Sequence, residues 1–338
     1  MAQIKILSIA ERSRFENLFQ AAQLAEGSLE WFQALAETTL DPVEKCVFAV
    51  AFDGDTAKAA LPLASTGASL RGLTAPYTTC YAPAFPDAEW ARYLGARAQS
   101  FVKGSLQLNA LDAADVSTAA FLDGLSASGL VMAQYQNFLN FYERTNDFQT
   151  YWIARPSRLK STVRRKLAQA AAEQVEFQSY RDELADAAQA YEEVYRASWK
   201  IPEPHPNFIK TMVEKLGQSG FVRIGIMRLR GSPIAAQIWL VCQRRATIFK
   251  LAHREDVKEL SPGTLLTHWM VSTLMREEGI TEIDFGRGRD AYKRDWVAES
   301  RIRSGVVAGN WKTMAGQRTI TGKVLPTWLS AIIRRARP

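Results

Sequence analysis

Apolar and polar positions along this chain alternate in short blocks, and the blocks predict two successive runs of helices and strands. The first run opens with a strand-like piece from Ile4 to Ile9. A helix from Glu11 to about Ala25 and a second from Leu29 to Glu37 follow. The uninterrupted apolar stretch Val47 to Phe52 reads as a buried strand. Gly54 between Asp53 and Asp55 supplies a turn, and Ala59 to Leu63 returns as the partner strand. After Gly-, Pro- and Tyr-rich sequence from Gly72 to Phe85 come a helix from Ala88 to Val102 and strands at Leu106–Leu108 and Val131–Tyr142.

The second run repeats this order more clearly. Val175 to Tyr180 is a strand. Arg181 to Trp199 is a helix with Leu184, Ala187, Tyr191, Val194, Tyr195 and Trp199 along one side. Pro206 to Gly217 is a second helix. Phe221 to Leu229 and Ile234 to Gln243 form a hairpin about Gly231-Ser232-Pro233, and Ala246 to Ala252 is a third strand. Thr264 to Glu278 is a helix with Leu266, Met270 and Leu274 in register, ended by Gly279. Thr281 to Phe285 is a strand, Asp290 to Val297 a short helix, and Ile302 to Val307 a final strand. The order β-α-α-β-β-β-α-β-α-β predicts an α/β chain of the α+β kind, with a mixed rather than doubly wound sheet in each half.

At ~100–200 residues per domain, 338 residues suggest two domains. The expected divisions are an N-terminal domain over 1–150, a basic linker helix over 151–174, a C-terminal domain over 175–312 and a basic amphipathic tail over 313–338. In the linker, Leu159, Val163 and Leu167 form an apolar seam behind Arg155, Arg158, Lys160, Arg164, Arg165 and Lys166, with Ser157 as the expected N-cap. In the tail, Leu325, Trp328, Leu329, Ile332 and Ile333 share a side, with Arg334, Arg335 and Arg337 after them. Such a helix either docks on the protein or lies on an anionic membrane surface. The formal net charge of +7 favours anionic partners: a phosphorylated cofactor, a nucleic acid or a membrane surface. Cys46, Cys80 and Cys242 are odd in number and widely spaced, which fits a reducing cytoplasm and neither a disulfide framework nor a zinc site. The sequence start does not read as a secretory signal, and no apolar run reaches ~18 residues, so no transmembrane helix is expected.

Two stretches carry a family resemblance. One is Leu260-Ser261-Pro262-Gly263-Thr264-Leu265-Leu266. The other is Ile283-Asp284-Phe285-Gly286-Arg287-Gly288, followed by Tyr292-Lys293-Arg294-Asp295-Trp296. With Ser198-Trp199-Lys200, they resemble GNAT-like acyltransferases of the cellulose-biosynthesis CelD type. That group is related to Fem-type peptidyltransferases, which carry two tandem GNAT folds. The resemblance implies two tandem GNAT-like domains. It also implies transfer of an acyl group from an acyl-CoA, as substrate, or another acyl carrier to an amine acceptor on a sugar or cell-envelope precursor. A Fem-type ligase using aminoacyl-tRNA and a non-catalytic component of polysaccharide assembly are the rival readings. The sequence departs from ordinary GNAT enzymes in its cofactor loop. Glu259 to Thr264 holds one glycine where their Arg/Gln-x-x-Gly-x-Gly/Ala loop holds two small residues, and this leaves the carrier open.

Acyl transfer from a thioester needs a neutral, positioned amine and a donor for the carbonyl oxygen, not a protein nucleophile. Ser261, Gly263 and Thr264, just before a helix, are the expected phosphate cradle. The bland alternative is an ordinary N-cap at Ser261 with Pro262 at the first helical position. Asp284 is a base, a group that orients the amine, or an ion-pair partner of Arg287, Arg289 or Lys293. Tyr292 is, by resemblance, the acid that protonates the leaving thiolate, or else it packs on Trp296. Lys293, Arg287 and Arg289 are candidates for anionic groups of cofactor or substrate. Lys250, in the middle of a strand, is expected to face a cleft, and Trp199 and Lys200 to line the acceptor pocket. His268 reads as a half-buried packing residue and His253 as a weak base candidate. Gly286-Arg287-Gly288-Arg289-Asp290-Ala291 matches a dinucleotide fingerprint, but residues 302–312 lack the required acid. No metal site is expected from the histidine and cysteine spacings.

Overall fold

The computed structural model describes residues 1–288 and 290–336, with side chains up to residue 331. Arg289 and Arg337, and the side chains of Ile332, Ile333, Arg334 and Arg335, therefore lie outside the described residues. In chain order the strands are β1 (Ala2–Ser8), β2 (Lys45–Asp53), β3 (Thr56–Ser65), β4 (Ser69–Gly72), β5 (Ser105–Leu111), β6 (Val131–Arg144), β7 (Val175–Tyr180), β8 (Val222–Leu229), β9 (Ser232–Cys242), β10 (Arg245–His253), β11 (Glu282–Arg287) and β12 (Glu299–Gly309). The α-helices are α1 (Leu29–Thr38), α2 (Ala88–Ala96), α3 (Ala98–Phe101), α4 (Val116–Ser126), α5 (Phe148–Ile153), α6 (Ser157–Ala172), α7 (Leu184–Arg196), α8 (Phe208–Gln218), α9 (Pro262–Glu278), α10 (Lys293–Trp296), α11 (Met314–Thr319) and α12 (Leu325–Ala336).

The expected helix over 11–25 is instead a chain of 3₁₀ turns. Phe15 breaks it at φ −147°, and its ring packs on Phe48, 4.7 Å between centroids. The expected helix over 88–102 divides at Arg97. Two helices absent from the pattern reading, α4 and α5, each begin on an aspartate that accepts a first-turn N–H: Asp115 from Thr118 and Asp147 from Thr150, both at 2.8 Å. At α6 the N-cap is Pro156 rather than Ser157.

The chain forms two units, one of residues 1–138 with 302–338 and one of residues 139–301. In the first, the strand order is β1-β2-β3-β4-β5-β12. Only β4–β5 is parallel among these described pairs. Beyond the three paired positions of β4 and β5, the segment after β4 fills the gap. Tyr81 bridges Leu111 in parallel and Ala84 pairs with Ala60. Tyr81 is buried, and its hydroxyl donates to the Pro62 carbonyl. Glu26, also buried, anchors this segment by accepting from the Thr79 N–H (2.6 Å) and hydroxyl (2.5 Å).

In the second unit the order is β6-β11-β10-β9-β8-β7. Here β10–β11 is the parallel pair and the other described pairs are antiparallel. Helix α9 lays Leu265, Leu266, Met270, Val271 and Leu274 into a core with Trp239, Ile248, Ile283 and Phe285. Gly279, at φ +64°, ends it as an αL cap. The fold class is thus α+β, each unit a mixed, mostly antiparallel sheet flanked by helices.

Candidate active site in the second unit

Strands β10 and β11 pair over only three positions, Arg245↔Glu282 to Thr247↔Asp284. Both run on, β10 to His253 and β11 to Arg287, so they part halfway along their length. A bulge between Ile248 and Lys250 marks the point where β10 departs. Where two parallel strands separate, the backbone groups that would have paired face an opening, and a ligand can take their place.

The N-terminus of α9 follows β10 by a kinked 3₁₀ segment, Glu255–Leu260. Ser261 sits at its N-cap in the left-handed region, φ +53°, and its side chain makes no capping hydrogen bond. The bland expectation of a serine cap therefore fails, although Pro262 does hold the first helical position. The first helical hydrogen bond runs from Leu265 N–H to the Ser261 carbonyl, 3.1 Å. The N–H groups of Gly263 and Thr264 precede it and point out of the helix end, where the helix dipole favours an anion. Gly263 also packs on His253: a Cβ there would lie 3.2 Å from the imidazole Cδ2. The exposed Trp199 ring stands over the same imidazole, 4.4 Å between centroids.

A buried polar group that the sequence reading missed holds this helix end. Gln237, inside the apolar strand β9, donates to the Thr267 hydroxyl (2.7 Å) and the Gly263 carbonyl (3.3 Å), and accepts from the Trp239 indole (2.9 Å). A glutamine amid Ile234 to Cys242 was the available signal. Gln237→Leu removes partners from two buried polar groups. It is expected to cost about 1–3 kcal/mol in urea unfolding and to loosen the first turn of α9.

At the end of β11, Asp284 is buried and saturated. One carboxylate oxygen accepts from Asn140 Nδ2 and Gly286 N–H, both at 2.7 Å, and the other from Arg301 Nη2. Arg301 also reaches Asn140 Oδ1 (2.5 Å) and Glu282 Oε1 (2.9 Å) and lies over the Tyr142 ring. Arg245 and Arg144 complete the cage of Glu282, at 2.6 Å and 2.9 Å. Burial pushes the Glu282 carboxyl up, but Arg245, Arg301 and Arg144 outweigh it and hold it below its ordinary range. The ion-pair partner of Asp284 is thus Arg301, not the expected Arg287 or Lys293. The third expected partner, Arg289, is among the residues not described.

The turn after β11 is built on Gly286 and Gly288, at φ +65° and +112°, where a side chain would be strained. Lys293 is turned inward and buried. Its ammonium donates to the Arg287 carbonyl (2.5 Å) and pairs with Asp290 (3.2 Å). It braces the turn from beneath. Arg287 and Tyr292 are exposed. Desolvation and the neighbouring Asp290 carboxylate raise the Tyr292 hydroxyl to about 12, which keeps its proton on at neutral pH.

Lys250, just past the bulge, pairs with Glu203 at 2.5 Å. Lys200 stands near both and near Asp290, and its ammonium lies over the Tyr195 and Trp199 rings. Lys200, Glu203, Tyr191 and Tyr195 line a cavity of about 490 Å³ beside α7 and the start of α8. Desolvation, then the Lys250 charge, lowers Lys200 to about 8, and desolvation lowers Lys250 too. Lys200 is therefore expected to react with an amine-directed reagent with a midpoint near pH 8. Peptide mapping of labelled protein against pH reads this, and a midpoint at the ordinary 10.5 contradicts it. His268 packs on Trp152 (4.4 Å) and Phe148 (5.4 Å), and desolvation lowers it to about 4, so the ring is neutral.

The equivalent position in the first unit is closed twice over. Tyr81 fills the gap beyond β4 and β5. At the N-terminus of α2, the Asp87 carboxylate takes the N–H groups of Glu89 (2.7 Å) and Trp90 (3.1 Å). A negative cap there repels a phosphate, so among the described residues the anion-ready helix end beside parted strands is that of the second unit.

The segment that builds this site has a known counterpart. Residues 157–294 match the acetyltransferase (GNAT) domain family. Domains of that superfamily are usually acyltransferases. No curated protein matches the chain in sequence. Three solved structures share the fold. FemX is 10% identical, with a TM-score of 0.62 over 89% of this chain and 96% of its own. A C-terminal domain from Agrobacterium fabrum, provisionally named a lysylphosphatidylglycerol synthetase, is 11% identical, with a TM-score of 0.59 over 91% and 95%. L-PGS from Bacillus licheniformis is 10% identical, with a TM-score of 0.51 over 87% and 95%. These likenesses extend across both units, so the shared fold is not confined to the GNAT-matching segment.

Around the parted strands and the turn after β11 the structure gathers Gly263 and Thr264 with His253 and Trp199, and Lys200 and Lys250 with Glu203 and the Asp290–Tyr292 turn. Asp284 and Lys293 stand beneath as braces. Asn140, Glu203, Gln237 and Arg301 were missed. Each is a polar residue whose partner is remote in sequence, so no local motif marks it. Among the described residues no histidine, cysteine or carboxylate group forms a metal cluster, and no helix is long and apolar enough to cross a membrane.

Proposed function

We propose that this chain is an N-acyltransferase whose second unit moves an acyl group from acyl-CoA to an amine. The observation that carries the reading is the parting of β10 and β11 beside the open N-terminus of α9. The Gly263 and Thr264 N–H groups are suited to a CoA phosphate, with Ser261 at the edge of that cradle. The parted edge of β10 and β11 is suited to the amide-bearing arm of the cofactor. The amine nitrogen attacks the thioester carbonyl carbon, the C–S bond breaks, Tyr292 gives its proton to the departing thiolate, and the proton lost by the amine nitrogen restores the Tyr292 hydroxyl. Its hydroxyl, raised to about 12, is protonated across the neutral range and so holds a proton to give to the thiolate. Asp284 and Lys293 act as positioning residues, since both already hold several partners. Trp199, Lys200, Lys250 and Arg287 are assigned to the acceptor side. The sequence resemblance to the CelD type supports an amine on a sugar or cell-envelope precursor. Incubation with acetyl-CoA and amino-sugar acceptors, read by thiol release, tests this. Acceptor-dependent release that Tyr292→Phe slows is expected, and no release with any acyl-CoA sinks the reading.

A second reading is favoured by one observation. Helix α6 exposes Arg158, Arg164 and Arg165 along one side, which suits a nucleic-acid backbone and hence an aminoacyl-tRNA donor, as expected of a Fem-type ligase. It predicts tRNA binding that falls steeply with salt. A third, a non-catalytic part of polysaccharide assembly, predicts that Gly263, Asp284 and Tyr292 can be replaced without loss of cellular function.

A further inference from the structure

The last elements of the first unit show an apolar face beside a one-sided charge. From Trp311 to Pro338 the sequence has no Asp or Glu, but has Lys312, Arg318, Lys323, Arg334, Arg335 and Arg337. Elements α11 and α12 are joined by a π-helical turn, Ile320–Val324, into one helical run. The run is fixed to its unit at several points. A Cβ on Gly309 would lie 2.6 Å from the Gly316 carbonyl, so strand and helix start touch backbone to backbone. Val324 is buried with Ala133 and Val307, Lys323 donates to Gln107 (2.8 Å), and the Trp328 indole donates to the Met132 carbonyl (3.1 Å). Yet docking leaves its large apolar side chains outside. Leu325, Trp328 and Leu329, at i, i+3 and i+4, are all exposed, Leu329 by 59%. Trp311 and Met314 are exposed at the start of the run, by 54% and 73%. In sequence the same spacing continues to Ile332 and Ile333.

We infer that this face seats the protein on an anionic lipid surface. A protein partner of unspecified charge would not need an acid-free run of 28 residues. An anionic headgroup layer would, because each lysine or arginine near it adds attraction while the apolar side chains enter the acyl boundary. Trp311 suits that depth, since it pairs an apolar ring with a polar N–H, and Trp328, whose N–H is held by Met132, adds an exposed apolar ring. Seating here leaves the protein peripheral, and it brings a membrane-borne substrate to the chain whatever group is transferred.

The test is sedimentation of the full chain with vesicles of phosphatidylcholine alone and of equal parts phosphatidylcholine and phosphatidylglycerol. Binding to the mixed vesicles that added salt weakens is expected. Leu329→Glu, at an exposed position, should reduce it roughly tenfold while leaving the melting temperature unchanged, and Arg318→Glu should reduce it less. No binding to mixed vesicles overturns the inference, as do equal binding to both vesicle types and indifference to Leu329→Glu. Light scattering is run in parallel. A stable dimer that Leu329→Glu converts to monomer assigns the face to a second copy instead, which also overturns it.

Discussion

Replacing Arg301 with leucine destabilises the second unit by about 3–5 kcal/mol, the cost of leaving buried charges without their partner. The size of the effect follows from what Arg301 holds. Its guanidinium bonds Asp284, Glu282 and Asn140, and it lies against the Tyr142 ring. Asp284 is buried and has only Asn140 and the Gly286 N–H left once Arg301 is gone. Urea unfolding of the variant measures the loss. Arg301→Leu combined with Asp284→Asn should recover part of it, because the buried charge leaves with its partner. The same cage sets an acid limit. The Glu282 carboxyl is held below its ordinary 4.5 in the folded chain, so its contribution to stability is fully present above that value. It is lost as pH falls through the lowered value. A stability profile that stays flat through this acid window contradicts the account.

Thr264→Glu separates binding from folding. A glutamate in the first turn of a helix is neutral or stabilising by about 0.3–1 kcal/mol, because it complements the helix dipole. At this helix end it also sets a carboxylate where the cofactor phosphate is proposed to sit, and two anions there repel. Acyl-CoA affinity should fall by at least about tenfold while the melting temperature holds or rises. A purely structural role for the first turn of α9 predicts the opposite: little change in binding. Half-buried Thr264 tolerates the longer side chain because it lies at the helix mouth. Gly263 does not, since His253 already fills the space beside it.

The pattern of apolar positions was enough to locate most elements of the second unit. Strands buried on one side and helices with an apolar seam announce themselves by period alone, as Val175–Tyr180 and Pro262–Glu278 do. The first unit was harder. Its opening turns fold around Phe15, whose ring is drawn to Phe48 across a strand pairing that no local window contains. Helix α4 shows only a weak polar side, since exposed Val116 shares its outer stripe with Asp123 and Ser126, while its inner side packs closely on α2, where Gly95 and Gly124 each abut backbone of the other helix. In the site, the glycines and the Ser261-Pro262 pair were visible as backbone signals. The charge pairing was not. Arg301 is 17 residues from Asp284 in sequence, and Glu203 and Lys250 are 47 apart. Such pairs become neighbours only through sheet order, so sequence could propose Asp284 and Lys250 without naming what they hold. The plugged cleft of the first unit was also beyond reach, because Tyr81 reads as one more residue of a Tyr- and Pro-rich loop.

The central claim is that the opening between β10 and β11 and the N-terminus of α9 accept an acyl-CoA. Calorimetric titration of the full chain with acetyl-CoA and with a longer acyl-CoA tests it most directly. The account predicts saturation at one site per chain, competition by free CoA, and loss of the signal in Thr264→Glu. A flat titration with every acyl-CoA, or binding that Thr264→Glu leaves intact, would contradict it.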